Sequence, residues 1–261
     1  MFANAEAYEK FMGRWSRMVA PHLVDFAEPP DAGRLLDVGS GTGALAFALA
    51  ERRMQARVQG IDPSKEYIEY AASQNRFSDR VNFEIGDAQQ LHFADRAFDA
   101  SLSLLVFNFI PDFRTAIHEV RRVTKSRGRI SAAVWDYGDG MKMLRMFWDA
   151  AAAVDRSAER ADERQMPLCR SGELEALWKE AGLEMVAERP IDIQMQFASF
   201  ADYWNPFLLG QGPAGSYVQK IDGARQEALR AEVKRRLRME SEQAPFTLPA
   251  RVWAVRGMVP V

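Results

Sequence analysis

The sequence predicts an α/β fold, a mostly parallel sheet of seven strands with helices on both faces and helical cap insertions in its second half. Three observations predict it. Apolar, strand-length runs alternate with amphipathic helical stretches from residue 34 to residue 135, the pattern of parallel strands joined by right-handed crossover helices. The first of these runs, residues 34–38, leads directly into glycines at 39, 41 and 43 and then an apolar helix, the order of a ligand-binding turn. Residues 98–107 form a long apolar run, as a central strand covered on both faces requires.

In chain order, residues 4–12 and 16–27 read as helices, the second with Met18, Val19, Leu23 and Phe26 near one face and Ser16 as its N-cap. Pro29-Pro30-Asp31-Ala32-Gly33 breaks the chain before the opening strand. After the glycine turn and its helix, which begins near Thr42, residues 57–61 read as a second strand ending in Asp62, with Pro63 suited to a first helical turn. Tyr67, Ile68, Ala71 and Ala72 give the next helix one apolar face. Val81–Ile85 alternates as a third strand, with Gly86-Asp87-Ala88 at its end. The fourth strand brings Ser103, Leu104 and Leu105 to its C-terminal end, where open α/β sheets bind ligands. Asn108 reads as the residue opening the following helix, in which Phe113, Ala116, Ile117, Val120 and Val123 recur at helical spacing. Residues 129–135 are a fifth strand.

The second half changes style. Helices are expected over 141–154 and 171–181, a sixth strand over 186–195, a long helix from about Ser216 to Met239 and a seventh strand over Phe246–Met258. We read the chain as one domain: leading helices in 1–30, a ligand-binding core in 31–136, cap insertions in 137–170 and 196–245, and a closing strand in 246–261.

With 261 residues, 48% of them hydrophobic, the chain can bury a sizeable core. Thirty-four basic against thirty-six acidic residues give a net charge of −2, so neither nucleic acid nor an anionic membrane is an expected partner. Cys169 is the only cysteine, which rules out an internal disulfide and a thiolate metal cluster. No metal is expected, and the composition suits a reducing cytoplasm. No signal peptide, lipidation motif or membrane-spanning run is recognisable.

The glycine turn is the chemical centre of the sequence. Glycines let the backbone turn sharply and let a ligand approach it, and the free N–H groups of the next helix favour polar or anionic atoms there. Gly39, Gly41 and Ala44 satisfy the loose dinucleotide fingerprint, so the turn alone admits NAD or FAD. Asp37 argues against a pyrophosphate, which its carboxylate would repel, and for a ligand with an ammonium group. S-adenosylmethionine has that group and no phosphate. Asp37-Val38-Gly39-Ser40-Gly41-Thr42-Gly43 resembles the first motif of the class I S-adenosylmethionine-dependent methyltransferases, in the small-molecule branch that includes quinone-biosynthesis enzymes. Asp62, 25 residues beyond Asp37, is placed to accept from both ribose hydroxyls.

The resemblance covers Leu35 to about Trp135 and implies a Rossmann-like sheet with the last strand antiparallel, S-adenosyl-L-methionine as cofactor and a small-molecule acceptor. It implies a cofactor site of Asp37, Gly39, Ser40, Gly41, Gly43, Asp62, Pro63 and Leu104, with Asp87 and Ala88 holding adenine. Tyr8 and Met12 become lid residues by comparison with similar methyltransferases. Asn108-Phe109-Ile110-Pro111 lacks the central prolines of the amino-methylating DNA enzymes and does not extend the likeness to them.

Both insertions leave from the ligand-binding end of the sheet, and Trp135, Tyr137, Met141, Phe147, Trp148, Tyr203, Trp204 and Phe207 are apolar enough to line a pocket or to form the cap's own core. Interleaved acids make the basic run 230–238 a solvated helix face. For a general base Asp136, Tyr137 and His92 are the only candidates, and none has a supporting pattern; His22 and His118 read as structural. Two other functions remain open at this point: a protein that binds the cofactor without turnover, and an NAD-dependent oxidoreductase.

Overall fold

The structure is a computed structural model that describes residues 4–261. Its seven strands are β1 (Ala32–Val38), β2 (Gln55–Asp62), β3 (Val81–Ile85), β4 (Phe98–Leu104), β5 (Thr124–Trp135), β6 (Glu184–Phe197) and β7 (Phe246–Met258), in the sheet order β3-β2-β1-β4-β5-β7-β6. The first five run parallel. Only β7 runs against its neighbours, pairing antiparallel with both β5 and β6. Register brings Val38 level with Ile61, and Asp62 level with Ile85, so Asp37, Asp62 and the Asp87 turn gather at one end of the sheet.

The helices of the first half are α1 (Ala5–Tyr8), α2 (Arg14–Ala27), α3 (Ala44–Arg52), α4 (Lys65–Ser73) and α5 (Phe113–Val123); those of the second are α6 (Lys142–Val154), α7 (Glu173–Glu180), α8 (Phe200–Trp204), α9 (Gly212–Lys220) and α10 (Gly223–Arg236). Successive residues of a strand point to opposite faces. In β7, Arg256 donates to the Phe26 carbonyl of α2, while the next residue, Gly257, lies against the Trp178 ring of α7. The two helices therefore cover opposite faces. Gly257 keeps that approach close, for a Cβ there would stand 3.0 Å from the Trp178 ring, tighter than ordinary contact. The Trp178 indole N–H is satisfied by the Ile130 carbonyl in β5.

Several boundaries differ from expectation. The two leading helices form one helical run, in which a π-helical turn, Glu9–Gly13, joins α1 to α2. Asn4 caps the run by accepting from the Ala7 N–H, and the run continues through Pro21 to end at Glu28 in the left-handed conformation. Ser16 is consequently inside the helix, donating to the Met12 carbonyl, and caps nothing. The long helix expected over 216–239 is divided into α9 and α10, because the Asp222 side chain accepts from the Arg225 N–H and starts a new helix. Asn108 lies in a 3-10 turn, Phe107–Phe109, and Asp112 opens α5. The glycine-turn helix starts at Ala44, with Gly43 as its N-cap.

The cap insertions pack mainly on themselves. Phe147 of α6 stacks on Phe207 with centroids 4.5 Å apart, and the buried Tyr203 hydroxyl donates to the Met143 carbonyl. Met141, Phe147, Trp148, Tyr203, Trp204 and Phe207 are the cap's own core and form none of the cavity wall described below. On α10 the basic side chains are neutralised, Arg230 and Lys234 by Glu242, Arg235 and Arg236 by Glu232.

Candidate functional site: a cavity over the glycine turn

A cavity of about 380 Å³ opens at the C-terminal ends of the parallel strands. Eleven of the twelve residues expected from the sequence line it: Tyr8, Met12, Asp37, Gly39, Ser40, Gly41, Asp62, Pro63, Asp87, Ala88 and Leu104. Gly43 does not. It has φ +94°, and a Cβ there would meet the Phe47 ring at 2.7 Å, so it serves the turn and the helix packing behind it.

Gly39 and Gly41 have different reasons to be glycine. Both have positive φ, +72° and +51°, where a side chain is strained. A Cβ on Gly39 would lie 2.5 Å from Val106, whereas one on Gly41 would meet nothing within 4 Å. At Gly41 the bare backbone faces open space.

Asp37 is completely buried beneath the turn, and neither carboxylate oxygen has a hydrogen-bond partner. Burial pushes its carboxyl up to about 8, the nearby Ala46 N–H dipole, outside hydrogen-bond geometry, giving partial relief and the Asp62 charge raising it further. An orphaned buried carboxylate is costly unless something cationic joins it. The sign of the pH effect follows from the raised value. Between the ordinary 3.8 and about 8 the folded protein keeps a proton that the unfolded chain has lost. Stability is therefore fully present below about pH 4 and falls by about 1.4 kcal/mol per unit as the pH rises towards 8. Urea unfolding of the unliganded protein at several pH values should show this slope, and Asp37→Asn should remove most of it, leaving the smaller contribution of Asp62. A wild-type slope no steeper than that of Asp37→Asn would refute the assignment.

Asp62 ties the turn to β2. It accepts from the Gly41 N–H at 3.0 Å and from the Ser64 N–H at 2.9 Å. Burial raises its carboxyl and these two bonds lower it, burial being the larger effect. Asp87, exposed at the rim, accepts from the Gln89 backbone and side chain in a local turn.

The leading helical run crosses the cavity. Thr42 donates to Glu9 in the π turn at 2.5 Å, Glu9 also pairs with Arg17, and Glu66 accepts from the Ala5 N–H. Tyr8 and Tyr67 meet with ring centroids 5.4 Å apart. The Tyr8 hydroxyl, bonded to Ser16, is pushed up to about 12 by burial. Tyr67 was read from the sequence only as an apolar helix position. Its buried hydroxyl has no partner and lines the cavity, as does the orphaned Ser40 hydroxyl.

Beyond the turn the wall is apolar. It comprises Leu105, Val106, Phe109, Ile110, Trp135 and Tyr137. Leu105 has φ +63°, a left-handed bend that no sequence signal announces and that redirects the chain after β4. Of the three base candidates Tyr137 alone lines the cavity, and burial raises its hydroxyl well above the ordinary value. Asp136 turns inward to accept from the Asp139 N–H, and His92 lies outside, beside Glu84.

Comparison with known proteins agrees with this architecture. A demethylmenaquinone methyltransferase of Thermotoga maritima is 36% identical over 117 residues, 45% of this chain and 48% of that protein. A malonyl-[acyl-carrier protein] O-methyltransferase of Geobacter sulfurreducens is 34% identical over 151 residues, 57% of this chain and 55% of that protein. The chain thus spans about half the length of the curated relatives it matches. The solved phosphoethanolamine N-methyltransferase 2 of Haemonchus contortus, in complex with S-adenosyl-L-methionine, superposes with a TM-score of 0.61 at 16% identity, over 98% of this chain and 57% of that one. The methyltransferase-domain family matches residues 30–182, more than half of the sequence, and the chain belongs to that family.

Proposed function

We propose that the protein transfers a methyl group from S-adenosyl-L-methionine to a small-molecule acceptor. The observation that carries this reading is Asp37, whose two buried oxygens beside the glycine turn have no hydrogen-bond partner: an ammonium group would draw off its proton and pair with it, whereas a pyrophosphate would find no cation there. The same carboxylate weighs against an NAD-dependent oxidoreductase.

When bound, the cofactor supplies an electrophilic methyl group on a sulfonium. In this assignment Asp37 holds the methionine ammonium, and the bare backbone of Gly39 and Gly41 lets the ligand lie against the turn. Asp62 takes the ribose hydroxyls with the lone pairs left over from Gly41 and Ser64. Asp87 and Ala88 bracket adenine, Pro63 and Leu104 close the sides, and the Ser40 and Tyr67 hydroxyls gain partners. Tyr8 and Met12, on the run pinned by Glu9 and Thr42, act as a lid that excludes water. With no lining His, Lys or Glu among the described residues, the protein's contribution is alignment, worth about 7 to 11 kcal/mol when geometry is held well. The apolar wall from Leu105 to Tyr137 leaves room for an acceptor, which supports turnover over binding alone. The leading helical run across the site supports a small molecule over nucleic acid as substrate. Among the described residues no helix is long and apolar enough to cross a membrane, and the lone buried Cys169 suits the cytoplasm.

Isothermal titration with S-adenosylhomocysteine tests the reading. Binding with one site per chain is expected, and no heat at millimolar ligand would overturn it.

A further inference from the structure

We infer that the acceptor is a molecule with a flat aromatic ring that bears no carboxylate or phosphate; this deepens the methyl-transfer reading and rests on it. The charged side chains lining the cavity, among the described residues, are Asp37, Asp62 and Asp87, all at the ends of β1 to β3. Among the described residues no Lys, Arg or His lines it. On the covering helical run Arg14 is committed to Asp202 and Arg17 to Glu9, Lys10 is exposed and outside the cavity lining, and Arg145 of the cap is held by Asp162.

With Asp37 protonated or paired with the ligand's ammonium, an anionic acceptor would thus enter a space where Asp62 and Asp87 remain and, among the described residues, no side-chain cation receives it. Burying a charge unpaired is strongly unfavourable, and like charges nearby add to the cost. The wall that remains, at the ends of β4 and β5, is built for rings. Phe109 and Tyr137 meet edge to face with centroids 6.4 Å apart, beside Trp135, Val106 and Ile110, an arrangement that favours aromatic partners.

The test uses a matched pair, 2-naphthol and 2-naphthoate, which share a ring system and differ in charge near neutral pH. Each is titrated by calorimetry into the wild-type chain saturated with S-adenosylhomocysteine. We expect 2-naphthol to bind at least about tenfold more tightly. Ile110→Lys, which puts a cation on the partly exposed rim of the wall, should narrow or reverse that ratio, with S-adenosylhomocysteine binding in the same preparation showing that the variant is folded. The inference is overturned if 2-naphthoate binds the wild type as well as 2-naphthol, or if neither binds while S-adenosylhomocysteine does. Failure of S-adenosylhomocysteine itself to bind would instead overturn the methyl-transfer reading.

Discussion

Asp62→Ala should fold and yet bind S-adenosylhomocysteine at least about a hundredfold more weakly than the wild type. The carboxylate is proposed to accept two ribose hydroxyls, and hydrogen bonds to a charged group contribute about 1.5 to 3 kcal/mol each. Loss of two therefore spans two or more decades of Kd. Stability should move far less, because two effects oppose each other. The substitution strips the Gly41 and Ser64 N–H groups of their acceptor, but it also removes a carboxylate whose burial outweighs those bonds. The measurements are calorimetric affinity and Tm on one preparation. Equal affinity in both proteins would show that Asp62 does not touch the ligand; a collapsed Tm would show that its structural bonds dominate.

Gly41→Val should produce a similar loss of affinity by a different route. The added side chain projects into space that holds nothing within 4 Å of its Cβ, so the unliganded fold meets only the left-handed φ penalty, about 1 to 2 kcal/mol. The ligand, expected to lie against that backbone, meets two methyl groups. Affinity should fall more than about a hundredfold, and Gly41→Ala should fall between. Gly39→Ala provides the contrast: its Cβ would collide with Val106 and should lower Tm as well as affinity. Retained affinity in Gly41→Val would mean that the cavity is occupied elsewhere.

The cofactor end of the site was legible because each part has a local signature. An apolar run, glycines and a helix announce the turn, and acids at successive strand ends announce its neighbours. Gly43 shows the limit of that reasoning: it belongs to the same motif, but its role is set by Phe47 behind it, which spacing does not reveal. The acceptor end was only half legible. Trp135 and Tyr137 were candidates with five cap aromatics and Met141, and only three-dimensional packing separates the two that face the cavity from the six that form the cap's core. Leu105, Phe109 and Ile110 reach the wall through a left-handed bend at an ordinary leucine. In contrast, the division between α9 and α10 has a sequence signature, the N-capping Asp222 before Gly223, which the unbroken helix formers from Ala224 to Arg238 conceal.

The position of β7 has a consequence for biosynthesis. Although it follows β6 in sequence, it lies between β6 and β5, so that Ala133 pairs with Ala254. Until Phe246–Met258 has left the ribosome, β5 and β6 each present an unpaired edge, the kind of surface that invites pairing with other chains. The sheet therefore closes late, by insertion of a strand between two waiting partners, and such long-range pairing is slow. The nascent chain is most exposed to such pairing just before β7 emerges, and it is then that a chaperone would matter most.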